Sequence, residues 1–213
     1  MAFRFQGIDV TVGTGFLLLV ALLVVQASSA DQPLLWGLTY AAIAFVSILV
    51  HEFGHALLAK FWGLRVYGIE VGFLGGVTRH DVTTPRRQLG ISLAGPAAGL
   101  SLSLAFLLLA IVMPEGWAQV ASAVGWQLNL FWSLFNLLPI LPMDGGRALA
   151  SALQLTVGPA MAVAVAGAVG AVLGALGAVG MYLIGAYIGA AFLMFVAYQN
   201  ARAFSSVWNE SRT

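Results

Sequence analysis

The sequence predicts an all-α polytopic membrane protein of about six transmembrane helices, with a short membrane-dipping β-hairpin region between helices 2 and 3. Three observations predict this class. Of the 213 residues, 61% are hydrophobic and 8% are charged, whereas soluble domains are roughly one quarter charged. Apolar stretches recur at about the 20-residue length that crosses a bilayer. Every Lys and Arg falls on one side of the resulting layout.

The apolar segments define the helices in order. Their approximate ranges are 11–27, 34–58, 88–112, 118–138, 157–179 and 181–203. The first segment could instead be a signal peptide, with Arg4 ahead of it and small residues behind it. The long polar lead-in through Asp9 favours a retained helix.

We interpret the chain, residues 1–213, as a single transmembrane domain. Its core is formed by segments 1–4, about 11–138, together with an Asp-Gly segment at 136–147. Gly/Ala-rich helices at about 157–203 follow. Their Gly-x-x-x-Gly pairs, Gly170/Gly174 and Gly185/Gly189, predict close helix packing.

The basic residues predict the orientation. They are Arg4, Lys60, Arg65, Arg79, Arg86, Arg87, Arg147, Arg202 and Arg212. The opposite loops hold Asp31 and Glu115 and no basic residue. Because cytoplasmic loops carry the excess of Lys and Arg, both termini and the 60–88 loop are expected in the cytoplasm. The predicted location is the cell (inner) membrane, with several passes.

The 60–88 loop is predicted to contain strands. Its sequence RVYGIEVGFLGGVTRHDV is rich in Gly and β-branched residues and partly alternates. This pattern predicts short strands that turn at Gly75-Gly76. Such backbone persists at membrane depth only where protein covers it or where it lines a wet cavity.

Composition excludes several classes of function. The chain has no cysteine, which removes disulfides, thiolate metal sites and cysteine nucleophiles. No stretch combines basic and aromatic residues as a nucleic-acid groove requires, so no nucleic-acid partner is expected.

A metal site is predicted within the second segment, in ILVHEFGHALLAK. His51 and His55 are spaced i and i+4, so their imidazoles face the same way on a helix and can bind one Zn²⁺. Glu52 lies one residue further round, where it can reach a water on that ion as a general base. Ionisable residues inside an apolar helix are costly and mark function. The alternative is a pair of helix-end histidines beside a snorkelling carboxylate.

A third protein ligand is needed, and topology reduces the candidates. Those on the correct side are Glu70, His80, Asp81 and Asp144. Asp144 is favoured, because Pro139 and Pro142 break the helix before it and Gly145-Gly146 allow a close backbone turn. The alternative is an exposed Asp that caps the next helix.

With HEFGH and the later FNLLPILPMDGGR, the sequence resembles the site-2 protease family of intramembrane zinc metalloproteases. That family pairs an HExxH helix with an Asn-x-x-Pro-then-Asp-Gly segment, which here reads Asn136, Pro139, Asp144 and Gly145. SLAGPAAGL also resembles a family signature, with Gly99 in place of its usual polar residue.

The resemblance implies roles for these residues. His51, His55 and Asp144 would be the ligands of one zinc ion, and Glu52 the catalytic acid/base. The hairpin near residues 70–80, including Gly75 and Gly76, would guide the substrate. Many relatives carry a periplasmic PDZ module or a cytoplasmic CBS module, for which the loops here are too short. We therefore expect a minimal core, with regulation either unaccounted for or supplied by a partner protein.

The predicted function is hydrolysis of peptide bonds within or near transmembrane segments of membrane protein substrates. A substrate helix must unwind in the bilayer, and its freed backbone can pair with a strand edge of the hairpin. Asn136 could donate to the substrate carbonyl or oxyanion, although a helix–helix hydrogen bond explains it equally.

A zinc or other divalent-metal transporter is the main alternative. It would place ligands along a path through the membrane, but the far side offers only Asp31 and Glu115. A structural metal site would require four protein ligands. A serine-type intramembrane protease is disfavoured, because no Gly-x-Ser-x-Gly-like element is present.

Overall fold

The computed structural model describes residues 1–73 and 75–210. The strands are β1 (Ala2–Phe5), β2 (Ile8–Val12), β3 (Val66–Gly72) and β4 (Gly75–His80). The helices are α1 (Thr14–Gln26), a 3-10 turn (Ala27–Ser29), α2 (Pro33–Phe61), α3 (Pro85–Val112), α4 (Trp117–Asn136), α5 (Asp144–Val157), α6 (Pro159–Leu183) and α7 (Tyr187–Glu210).

The chain divides into two compact units. The first unit, here the N-terminal unit, contains Met1–Val82 and Ala94–Leu134. The second, the C-terminal unit, contains Thr83–Leu93 and the chain from Phe135 onward. The single transmembrane domain predicted from the sequence stays a prediction.

Each of the six predicted apolar segments is helical over most of its length. Among the described residues, three helices are long and apolar enough to cross a membrane: Pro33–Phe61, Pro85–Val112 and Pro159–Leu183. Thr14–Gln26 is apolar but shorter. The structure is therefore mostly helical with three candidate membrane helices and a small sheet.

The sheet of the N-terminal unit is larger than the hairpin predicted from the sequence. Its four strands lie in the order β1-β2-β3-β4, so β4 is at one edge. β2 runs parallel to β3, with Val10 opposite Ile69, and β3 pairs antiparallel with β4. The segment before the first helix, expected only to be polar, therefore forms two strands, β1 and β2. It was missed because β2 pairs with a segment far away in sequence.

The sheet packs against the helices through one apolar face. Residues that alternate along the two central strands, Ile8 and Val10 on β2 and Ile69 and Val71 on β3, are buried in one cluster. Residues of α1 and α2 complete that cluster: Phe16, Ile48 and Ala56. Because successive strand residues point to opposite faces, this packing fixes the register of the sheet against α2.

Helix α2 has the signals expected of a long apolar helix. Pro33 lies in its first turn and Lys60 in its last, where each is favourable. Ser47 and Thr39 donate to carbonyls one turn earlier, Ser47 to Ile43 and Thr39 to Leu35, each at 2.7 Å. Their hydroxyls therefore need no partner outside the helix.

In the C-terminal unit, small residues let α6 approach α7. A Cβ at Gly170 would overlap Asn200 Oδ1, and one at Gly174 would lie 3.1 Å from Ala197 Cβ. The predicted packing of Gly170/Gly174 is thus seen within this unit. Gly185 differs from the prediction, because it lies in the turn between α6 and α7 with φ +79°.

Helix α5 was not predicted as an element. Asp144 is its first residue and Met143 is its N-cap. Glycines 145 and 146 pack directly on preceding backbone, since a Cβ at Gly145 would overlap the carbonyl oxygen of Leu137. Asp144 is 7% exposed, so it is not the exposed capping aspartate of the alternative interpretation.

Candidate metal centre

Two histidines converge inside α2. His51 Nε2 and His55 Nε2 are 3.2 Å apart, and the rings meet edge to face at 79°. Both side chains are buried. Their spacing of four residues places them on the same face of the helix, as predicted from the sequence.

Glu52 completes a buried cluster with the two histidines. One ligand atom from each of His51, Glu52 and His55 lies within 4.8 Å of the others. Glu52 is 5% exposed. A carboxylate removed from water in this way needs a hydrogen-bond partner or a positive charge.

This donor set fits one zinc ion. Two ligand nitrogens at tetrahedral zinc, each about 2.0–2.1 Å from the metal, lie about 3.3 Å apart. The observed Nε2–Nε2 distance of 3.2 Å matches that value. Imidazole nitrogen and carboxylate oxygen are both zinc ligands. Helix α3 packs against the histidine pair.

Helix α3 reaches the histidines through its glycines. A Cβ at Gly95 would overlap His55 Nε2. A Cβ at Gly54 of α2 would lie 2.5 Å from the carbonyl oxygen of Ala94. The helices therefore approach closely because neither carries a side chain at these points. The Gly95 role was missed in the sequence, although the SLAGPAAGL signature contains it.

Ser133 of α4 occupies the space that the absent side chain of Gly99 leaves. A Cβ at Gly99 would overlap Ser133 Oγ and would lie 3.9 Å from His51 Nδ1. Ser133 is fully buried, and its Oγ has no hydrogen-bond partner among the described residues. A hydroxyl in this position is suited to accept a hydrogen bond from the Nδ1–H of an imidazole that binds a metal through Nε2. The sequence contains one indication that Ser133 faces the interior: it lies four residues after Asn129 and hence on the same face of α4.

The turn of the hairpin lies over the centre. Gly76 packs directly on Glu52, because a Cβ at Gly76 would overlap Glu52 Cγ. Gly75, with φ +123°, lies against Trp132 of α4, whose Cζ2 would be 3.0 Å from a Cβ there. Both glycines predicted to position the substrate therefore lie in the same unit as Glu52.

The other carboxylates and the histidine of the hairpin are engaged elsewhere. Glu70 accepts from Arg79 at 2.9 Å. Asp81 accepts from Tyr67 Oη at 2.7 Å and from the backbone N–H of Arg65 at 2.9 Å. His80 Nδ1 lies 2.8 Å from the carbonyl oxygen of Asp81.

The Tyr67–Asp81 hydrogen bond shifts the titration of both groups at the exposed base of the hairpin. The hydrogen bond from Tyr67, with that from the Arg65 N–H, lowers the pKa of Asp81. The same bond raises the pKa of Tyr67 above its ordinary value. The carboxylate of Asp81 is thus stabilised where it is, away from His51 and His55.

Asp144 and Asn136 belong to the C-terminal unit. Asp144 is buried at the start of α5, and Asn136 is the last residue of α4 and half-buried. Their assignments as third ligand and as donor to the substrate stay predictions. Ala148 and Ser151, on the helical face of Asp144, are also buried.

Comparison with known proteins points to one family. Residues 39–126, which include the histidine pair, the hairpin and the Gly95 signature, match the model of peptidase family M50. Rip3 of Mycobacterium tuberculosis is 34% identical over 175 residues, covering 77% of this chain and 44% of that protein. The zinc metalloprotease MJ0392 of Methanocaldococcus jannaschii is 28% identical over 155 residues, covering 71% of this chain and 44% of that protein.

A solved structure matches across nearly the whole chain. The site-2 protease from Methanocaldococcus jannaschii aligns with a TM-score of 0.69 and 26% sequence identity, covering 94% of each chain. The present chain spans less than half the length of the curated relatives described above. The fold is thus shared with a site-2 protease.

Proposed function

Because the chain belongs to the site-2 protease family, a family of membrane-embedded zinc metalloproteases, we propose that it hydrolyses peptide bonds within or near the transmembrane segments of other proteins. One observation carries the proposal. His51 Nε2 and His55 Nε2 converge at 3.2 Å, next to the Glu52 carboxylate, at buried positions of an apolar helix.

The residues that would hold zinc are His51, His55 and Asp144. Two of them supply the converging imidazoles. The assignment of Asp144 is supported by its Asp-Gly motif and by its burial within its own unit. When bound, zinc supplies Lewis acidity that makes water and a peptide carbonyl more reactive.

Glu52 would perform the proton transfers. Its carboxylate accepts a proton from the attacking water and passes it to the leaving amine nitrogen when the peptide bond breaks. Burial of Glu52 keeps bulk water from competing for that proton. Asn136 is proposed to donate a hydrogen bond to the substrate carbonyl oxygen as negative charge develops there.

Strand β4 would hold the substrate backbone. Among the described residues it pairs on one side only, with β3. A substrate segment unwound from its helix needs partners for its N–H and C=O groups, and an exposed strand edge provides them. Gly75 and Gly76 would let that segment pass close to Glu52.

We propose that six helices cross the bilayer, with both termini and the β-hairpin on the cytoplasmic side. The support is the segregation of Lys and Arg. The charged residues in the loops assigned to the far side are Asp31 and Glu115, and neither is basic. A protein partner that regulates the protease is also proposed. The substrate itself would be another membrane protein.

Cleavage in proteoliposomes tests the function. Three proteins would each be reconstituted with a panel of single-span membrane proteins: wild type, Glu52→Gln and Glu115→Gln. Glu115→Gln is the matched control, because Glu115 is an exposed loop carboxylate. We expect wild type and Glu115→Gln to cut within a span. We expect Glu52→Gln to retain zinc but to lose about a hundred- to ten-thousandfold in rate, the usual contribution of a general acid–base group. Products would be identified by mass spectrometry, and zinc by elemental analysis.

Two outcomes would contradict the proposal. Cleavage by Glu52→Gln at the wild-type rate would remove Glu52 from the mechanism. Zinc flux into the vesicles, with no cleavage by wild type, would support the transporter alternative instead.

A further inference from the structure

Thr78 lies on the face of β4 that points toward the metal helix. Burial alternates along the strand: Gly76, Thr78 and His80 are half-buried, whereas Val77 and Arg79 are exposed. This period of two places Gly76 and Thr78 on the same face of the sheet. Both residues contact Glu52.

The Thr78 hydroxyl lies within hydrogen-bond distance of two oxygen atoms of Glu52. Thr78 Oγ1 lies 2.7 Å from Glu52 Oε2 and 3.1 Å from the backbone carbonyl oxygen of Glu52. A threonine hydroxyl has one proton to donate, and the shorter contact, to a carboxylate, is the stronger bond. The hydroxyl therefore donates its proton to Glu52 Oε2, and the contact with the backbone carbonyl oxygen is the weaker of the two.

The backbone at Gly76 also restricts the Glu52 side chain. A Cβ at Gly76 would overlap Glu52 Cγ and would lie 2.9 Å from Glu52 Oε1. One carboxylate oxygen is thus held by Thr78, and the other lies beneath the backbone of β4. Few rotamers of Glu52 are compatible with both contacts.

Strand β4 is itself anchored in the core. Thr78 is opposite Ile69 of β3, which is buried in the cluster that joins the sheet to α2. On either side of Thr78, Val77 is opposite Glu70 and Arg79 is opposite Gly68. The hydroxyl of Thr78 therefore approaches Glu52 from a rigid support.

We propose that Thr78 is a positioning residue that orients the Glu52 carboxylate for proton transfer, and this inference rests on the proposed protease function. The hydrogen bond to Oε2 fixes the orientation of the carboxylate that would exchange protons with the attacking water. Because β4 is also the proposed edge for substrate pairing, the orientation of the catalytic carboxylate depends on the position of that strand.

Three variants test the inference. Thr78→Val keeps the shape of the side chain and removes the donor, and Thr78→Ser keeps the donor. Thr11→Val, at an exposed threonine of β2, is the matched control. We expect Thr78→Val to lower kcat about ten- to a hundredfold, as loss of a hydrogen bond to a charged group would. The KM and zinc content should stay near wild type, and Thr78→Ser should recover most of kcat.

A measurement on metal-free protein tests the bond without relying on activity. The carboxylate stretching band of Glu52 can be identified by infrared difference between wild type and Glu52→Gln. We expect Thr78→Val to shift this band, and Thr78→Ser and Thr11→Val to leave it in place.

Results that contradict the positioning role can be distinguished from results that contradict the proposed protease function. An unshifted band, or an unchanged kcat in Thr78→Val while wild type cleaves, would overturn the positioning role. Equal loss of kcat in Thr78→Ser and Thr78→Val, with faster hydrogen exchange across residues 66–80, would make Thr78 merely structural. If wild type cleaves nothing and zinc enters the vesicles while the band still shifts in Thr78→Val, the proposed function fails and the Thr78–Glu52 hydrogen bond does not.

Discussion

At the scale of single residues, the centre combines local spacing with contacts that span the chain. The i, i+4 spacing of His51 and His55 and the adjacent Glu52 could be predicted, because helix geometry alone brings them together. The contact of Gly95 with His55 and the hydroxyl of Ser133 beneath Gly99 could not. They depend on which turns of α3 and α4 meet α2, and no pattern within one helix encodes that.

Gly95→Ala should weaken zinc binding. The added Cβ would take the space of His55 Nε2, so the imidazole must rotate away or the helices must separate. We expect zinc affinity to fall at least about tenfold, the lower end of the effect of disturbing the shell around a metal ligand. Competition with a chromophoric chelator would measure it.

Gly180→Ala is the matched control for this substitution. Gly180 also lies inside a helix, but a Cβ there would meet nothing within 4 Å. It should leave zinc binding unchanged. Wild-type zinc affinity in Gly95→Ala would show that α3 does not confine His55.

At the scale of elements, the apolar helices were predictable and the additional elements were not. Long runs of apolar residues identify a helix by composition. Strand β2 pairs with β3, some sixty residues away, and β1 pairs only with β2. Helix α5 is short and rich in small residues after a Pro-rich turn. Neither has a local signal as strong as that of a membrane helix.

Asn200 of α7 holds the turn that precedes α5. Its side-chain amide donates to the carbonyl oxygen of Leu141 at 2.6 Å, and its Oδ1 accepts from the Leu141 N–H at 3.1 Å. Asn200 is 1% exposed. Both backbone groups of Leu141 are thus satisfied by one side chain from within the same unit.

Asn200→Leu should destabilise the C-terminal unit. The substitution keeps the volume but leaves buried polar groups of Leu141 without these bonds, which costs about 1–3 kcal/mol of unfolding free energy. Denaturant unfolding in detergent would measure the change. Gln199→Leu, an exposed neighbour on the same helix, serves as control, and an equal loss in both variants would contradict the role of Asn200.

At the scale of the whole molecule, the orientation rests on charge distribution. Composition and the segregation of nine basic residues predict a membrane protein with a preferred orientation. The number of crossings depends on helices of different lengths, such as Thr14–Gln26, which is shorter than a typical span.

Cysteine labelling would test the orientation directly. The sequence contains no cysteine, so each introduced thiol is the only one. We expect an impermeant maleimide to label Glu115→Cys in intact cells, and to label Val82→Cys, at a 99% exposed side chain, only after the membrane is opened. The reverse pattern would invert the proposed topology.

The parallel pairing of β2 with β3 also restricts how many times the chain can cross the bilayer between these two strands. β2 precedes α1 and β3 follows α2, yet Val10 and Ile69 lie side by side in one sheet. A chain that leaves one side of a bilayer and returns to it must cross an even number of times. If α2 crosses once, the short segment around α1 must complete the return trip, and a reporter fused ahead of β1 would share the compartment of the hairpin.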